Sequence, residues 1–134
     1  MPVIVPFYAA ILGFIFIFLS ARVIAARRHF RVTVGFGGHH VLERRIRVQG
    51  NFSEYVPITI ILLTFMELYG GARWLIHALC IALILGRCLH AYCVGRTNED
   101  IRHRRAAMIM TFGTLFIAAT SVVVYSGLRM LAPA

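Results

Sequence analysis

From Val3 to Ala26 only Gly13, Ser20 and Arg22 interrupt about 20 apolar residues. At a rise of about 1.5 Å per residue, a helix of that length crosses the ~30 Å hydrocarbon core of a bilayer. Three further apolar runs follow, at 48–69, 72–94 and 106–131. A chain of 134 residues that is 60% apolar, with a mean hydropathy of +0.80, exceeds the roughly one-half apolar content of soluble domains. The sequence therefore predicts an all-α integral membrane protein. One domain, residues 1–134, folds as a four-helix bundle with spans at approximately 3–26, 48–69, 72–94 and 106–131. The first run has no Lys or Arg before it and several Arg after it. A cleaved signal peptide has the reverse pattern, so this run is expected to be retained.

The net charge is +9, and all 14 basic residues are arginine. In a soluble protein this would suggest nucleic acid. Here most of the arginines fall in two short segments between apolar runs. Arg27, Arg28, Arg31, Arg44, Arg45 and Arg47 lie in the first, and Arg96, Arg102, Arg104 and Arg105 in the second. The opposite side has only Arg73 and Arg129. Basic loops stay on the cytoplasmic side and meet anionic lipid headgroups. Both chain ends are therefore expected outside, the basic loops in the cytoplasm, and no nucleic-acid partner. Cys80, Cys88 and Cys93 share one apolar run without a Cys-x-x-Cys spacing, which gives neither a zinc site nor a redox pair. Gly35-Phe36-Gly37-Gly38 matches no phosphate-binding pattern, and the adjacent His39 and His40 cannot share a helix face to hold a metal. No metal is expected. A small multidrug exporter would need a carboxylate in the first span, which has none.

The stretch from Arg47 to Pro57 places polar groups at the start of an apolar helix. At about 100° per residue, Arg47, Asn51 and Glu54 fall on one narrow face with Tyr55 at its edge, while Gln49 and Ser53 point elsewhere. A membrane helix carries such a face only where it meets protein, water or a polar ligand. Arg87 and His90, three apart in the third run, share a second polar face. The predicted topology brings both faces, together with Arg102, Arg104 and Arg105, to the cytoplasmic membrane level. Several arginines around one carboxylate suit an anionic ligand that also carries an amine or amide. Guanidinium groups also favour a thiolate over a thiol. The alternative is a structural knot in which the same polar groups hold the helices together.

The motif residues carry a resemblance. Leu42 to Pro57, with its Arg47-x-Gln49-x-Asn51-x-x-Glu54-Tyr55-x-Pro57 core, resembles the signature of the MAPEG family, the membrane-associated proteins in eicosanoid and glutathione metabolism. The family includes microsomal glutathione transferases, leukotriene C4 synthase and a lipoxygenase-activating protein, and the likeness extends over essentially the whole chain. It implies a homotrimer with glutathione, a co-substrate, bound between subunits near the cytoplasmic face. By that likeness Arg47, Gln49, Asn51, Glu54 and Tyr55 match glutathione-binding positions, and Arg87 matches an arginine of the third helix. His90 and Val94 stand where several glutathione enzymes have tyrosines. The catalytic arginine at the start of the fourth helix has three counterparts, Arg102, Arg104 and Arg105, with Arg105 at the expected helix entrance. The Gly86 to Tyr92 stretch looks more like the small bacterial members. The function implied is transfer of glutathione, or a similar anionic thiol, to lipophilic electrophiles at a bacterial cell membrane. The alternative is a non-enzymatic lipid-binding or accessory protein on the same scaffold.

Overall fold

The computed structural model describes residues 1–95 and 101–131. Four helices follow in order: α1 at Ile4–Phe30, α2 at His40–Leu68, α3 at Arg73–Val94 and α4 at Ile101–Leu131. All regular structure among the described residues is helical. Helices α1, α3 and α4 are each long and apolar enough to cross a membrane. Helix α2 is as long as they are, but its first half carries the Arg47 to Glu54 face, so composition alone does not mark it as a span. It is nonetheless central: α2 packs against all three other helices, whereas α1 and α4 do not meet among the described residues.

The helices outrun the apolar segments. The sequence places a basic loop over 27–47, yet α1 continues to Phe30 and α2 begins two turns early, at His40. Only 31–39 is left to connect them. Helix α4 likewise starts at Ile101 rather than Ala106. Hydropathy marks where hydrocarbon ends, not where a helix ends. Arginine and leucine are both good helix formers, so Leu42 to Arg47 continues the helix into the headgroup layer. In the second basic segment Arg96, Glu99 and Asp100 lie outside the described residues.

Two glycine-dependent features set the register. After α2 the chain turns at Gly70, whose φ of +82° suits glycine. The Gly70 and Gly71 N–H groups close that turn on the carbonyls of Glu67 and Met66, both at 3.0 Å. Within the bundle, a Cβ on Gly86 would lie 3.1 Å from the Ala107 carbonyl oxygen and 3.2 Å from Thr111 Oγ1. Without a side chain there, α3 can approach α4 closely, as membrane helices do at small residues. At the far end of α2 the Glu67 carboxylate accepts hydrogen bonds from the N–H groups of Val3, Ile4 and Val5, at 2.7, 2.7 and 2.9 Å. Those donors have no partner within their own helix, and a carboxylate complements the positive end of its dipole. The opposite end is tied less tightly, by Arg45 Nη1 donating to the Arg22 carbonyl at 3.2 Å.

Candidate functional site

Between α2, α3 and α4 on the arginine-rich side lies a cavity of about 400 Å³. Its volume falls within the range of small-molecule sites. Helix α2 supplies Arg47, Gly50, Asn51, Glu54 and Tyr55, a spacing of three and four residues that keeps all five on one face. Helix α3 adds His90 and Val94, and α4 adds Arg104. Arg47 and Glu54 are exposed to the cavity, and neither makes a hydrogen bond or ion pair with any described residue. Opposite charges that line one cavity without pairing leave their hydrogen-bonding capacity open to a third group. Tyr55 is set against α4 by an edge-to-face contact with Phe112, at 5.1 Å between ring centroids.

Arg87 has a different place from the one its sequence position implies. It is only 1% exposed and does not line the cavity. Its Nη2 donates to Asn51 Oδ1 at 2.8 Å, and its Nη1 to Thr111 Oγ1 at 3.1 Å. Thr111 passes its own proton back to the Ala107 carbonyl at 3.0 Å. Close packing at Gly86 brings Thr111 within reach of the neighbouring Arg87. The constellation therefore divides in two. Arg87, Asn51 and Thr111 form a buried polar knot that joins α2, α3 and α4, while Arg47 and Glu54 remain open. Asn51 belongs to both parts. With Oδ1 engaged by Arg87, what its amide chiefly offers the cavity is the Nδ2 donor.

Gln49 does not line this cavity. Its Nε2 donates to Ser20 Oγ of α1 at 3.0 Å, on the side of α2 away from the cavity, where the 100° periodicity points. Among the three arginines at the start of α4, Arg104 lines the cavity and Arg102 and Arg105 do not. Arg105 is one residue on and so turned by about 100°. His90 is buried and lines the cavity, whereas Tyr92 is exposed on another face. The sequence does not mark Thr111 and Ser20 as partners of Arg87 and Gln49. A lone hydroxyl in an apolar run gives no signal of which neighbour it meets.

A second recess, of about 260 Å³, opens between α1 and α2 and is almost wholly apolar. Phe16, stacked on Phe52 at 5.7 Å, and Pro57 form part of its wall. Pro57 gives no N–H to the carbonyl of Ser53, which lines the same recess. The histidine pair at the start of α2 has local partners. His39 stacks on Phe30 at 4.3 Å, and His40 meets Glu43 at 3.3 Å. No group of three metal-ligating side chains occurs among the described residues. The three cysteines are unbridged.

The model of the MAPEG family matches residues 5–124. Two curated relatives, both named "Inner membrane protein YecN", come from Escherichia coli strain K12 and from E. coli O6:H1 strain CFT073. Each is 36% identical to this chain over 110 residues, which cover 82% of the chain and 82% of the relative.

Proposed function

The chain belongs to the MAPEG family, and from that premise we propose that it binds glutathione, or a similar anionic thiol, in the cavity of Arg47, Glu54 and Arg104. There it transfers the thiol to lipophilic electrophiles. The observation that carries this reading is the unpaired Arg47 and Glu54 on one cavity wall, beside the arginine of α4. Arg47 would hold a carboxylate through two parallel hydrogen bonds. Glu54 would accept a proton from the ligand's ammonium or amide. Asn51 would donate Nδ2–H to a carbonyl or carboxylate oxygen, held in that orientation by Arg87. This makes Arg87 a positioning residue rather than a ligand group.

Arg104, which lines the cavity, takes the catalytic arginine's role in place of Arg105, which the expected helix entrance favours, and of Arg102. Its guanidinium would favour loss of the thiol proton to solvent and steady the resulting thiolate. The thiolate would then attack the electrophilic carbon. A carbon–sulfur bond forms, and a leaving group such as halide departs with the electron pair. The reaction requires neither metal nor organic cofactor. The apolar recess beside Phe52 would hold the lipophilic partner. By the family resemblance the working unit is a homotrimer with the ligand at the subunit boundary. Both chain ends would lie outside and the basic loops in the cytoplasm, in a bacterial inner membrane like that of the named relatives.

The test is ligand-dependent melting of the purified protein in detergent, followed by conjugation of a halo-nitroaromatic. Millimolar glutathione should raise the melting temperature, because a ligand that binds only the folded state stabilises it. Arg47→Ala should abolish the rise, and Arg104→Gln should reduce turnover far more than Arg105→Gln does. No rise with well-folded protein would overturn the glutathione reading. The apolar recess and the absence of tyrosine at His90 and Val94 favour one other reading, a lipid-binding protein without turnover. A rise in melting temperature without conjugation would select it.

A further inference from the structure

His90 is enclosed by the bundle but engaged by none of it. It lies on α3 one turn inside Val94 and three residues after Arg87, on the face of α3 that meets the cavity. Only 4% of it is exposed, yet it makes no hydrogen bond with any described residue. Among the described residues Arg87 Nε is sealed in without a partner, whereas the His90 ring nitrogens are not, so they reach the cavity space. His39, His40 and His77, by contrast, meet Phe30, Glu43 and Tyr8. An imidazole buried without a protein partner is costly unless something polar in the cavity supplies one.

The polar groups around His90 are divided between two walls. Arg47, Glu54 and Tyr55 come from α2, Arg104 comes from α4, and Arg87 is buried behind on α3. With the ligand's carboxylate and ammonium on Arg47 and Glu54, its thiol falls to the opposite wall, made by His90, Val94 and Arg104. Val94 has no polar side chain. Arg104 steadies a thiolate but takes no proton from it, because a guanidinium offers donors only. A neutral imidazole has one bare nitrogen and one N–H, so it can take up a proton and release one. On that wall it is the group able to carry the proton away from sulfur.

We propose that His90 is a catalytic residue, the proton relay between the bound thiol and water in the cavity. The inference rests on the thiol-binding reading above. First the S–H bond breaks, its electron pair stays on sulfur, and the proton forms an N–H bond at the bare ring nitrogen. A ring proton then passes to water, and the imidazole is neutral again. The Arg104 guanidinium attracts the thiolate and repels the transient imidazolium, which drives the second step. Arg104 therefore sets how much thiolate is held, and His90 sets how fast it forms.

The full chain in detergent is mixed rapidly with glutathione, and the ultraviolet absorbance of the thiolate is followed in time. In His90→Gln its rate of appearance should fall by about a hundredfold, as for loss of a positioned general base. The final amount of thiolate and the glutathione-dependent rise in melting temperature should stay as in the parent protein. Arg104→Gln should instead lower the final amount. Free imidazole should restore the rate in His90→Ala, by entering the space that the side chain leaves, and should not speed the parent. His90→Gln is nearer in size and carries the test in the event that His90→Ala does not fold. Thiolate appearing at the parent's rate in His90→Gln would overturn the relay and leave the thiol site standing. So would a joint fall in rate and amount that imidazole does not restore, which would make His90 a packing or sulfur-binding group. Neither thiolate nor a rise in melting temperature in the parent protein would overturn the thiol reading itself, and the relay with it.

Discussion

Helix α2 has a carboxylate near each end of its buried length, and the two are used in opposite ways. Glu67 is half-buried and accepts three N–H groups from the start of α1. Its neighbourhood is closed as well. Tyr8 hydrogen-bonds His77 Nδ1 at 2.9 Å, and Arg129 lies over the Tyr69 ring at 5.1 Å. Glu54 is exposed, lines a cavity and has no partner among the described residues. The difference sets a carboxylate whose capacity is filled within the chain, and which holds the fold, against one left open beside arginines, whose capacity is available to a ligand.

The comparison is tested most severely at Glu67. Glu67→Ala leaves three helix-terminal donors without an acceptor, one of them exposed to solvent. The expected loss is about 3 kcal/mol of stability, with hydrogen bonds to a charged group worth ~1.5–3 kcal/mol each and the exposed one discounted. Chemical denaturation in mixed micelles measures it. Ligand affinity, read as the glutathione concentration at half-maximal stabilisation, should not change. A large affinity loss at unchanged stability would mean that the two ends are coupled, and the division would fail.

Glu54→Gln is the converse. Stability should stay within about 0.5 kcal/mol, as for a surface change. Glutathione affinity should fall by about tenfold, since the neutral amide gives up a charge-assisted bond. A variant that unfolds with no separable binding defect would move Glu54 into the structural knot with Arg87.

Much of this division is legible in the sequence, and what is not has physical reasons. Apolar run lengths give the bundle, and the 100° step puts Arg47, Asn51, Glu54 and Tyr55 on one wall, as the cavity has them. Helix ends are not legible, because arginine leaves hydrocarbon without leaving the helix. The fate of Arg87 is not legible either. It depends on how α3 is rotated and how closely Gly86 lets it approach α4, and a three-residue spacing to His90 cannot state that. Arg104 is distinguished from Arg102 and Arg105 only once the helix is known to begin at Ile101 rather than Ala106. A later start would leave all three in a loop of undefined direction.

Gln49 gives the smallest effect and the finest distinction. The family likeness puts it among the glutathione-binding positions, while the periodicity and the Ser20 bond put it against α1. If the second account holds, Gln49→Met exchanges one interhelical hydrogen bond for an apolar contact of similar length. Such bonds in membrane bundles average about 0.6 kcal/mol, so the expected loss of stability is of that size. Glutathione affinity should be unchanged. Ser20→Ala should cost about the same, and the double variant little more than either single one, because both remove one bond. A tenfold affinity loss in Gln49→Met, absent from Ser20→Ala, would mean that the side chain reaches the ligand. The cavity wall would then extend around α2 to a face that the single chain closes with α1, and this would argue that ligand binding repositions α1 against α2.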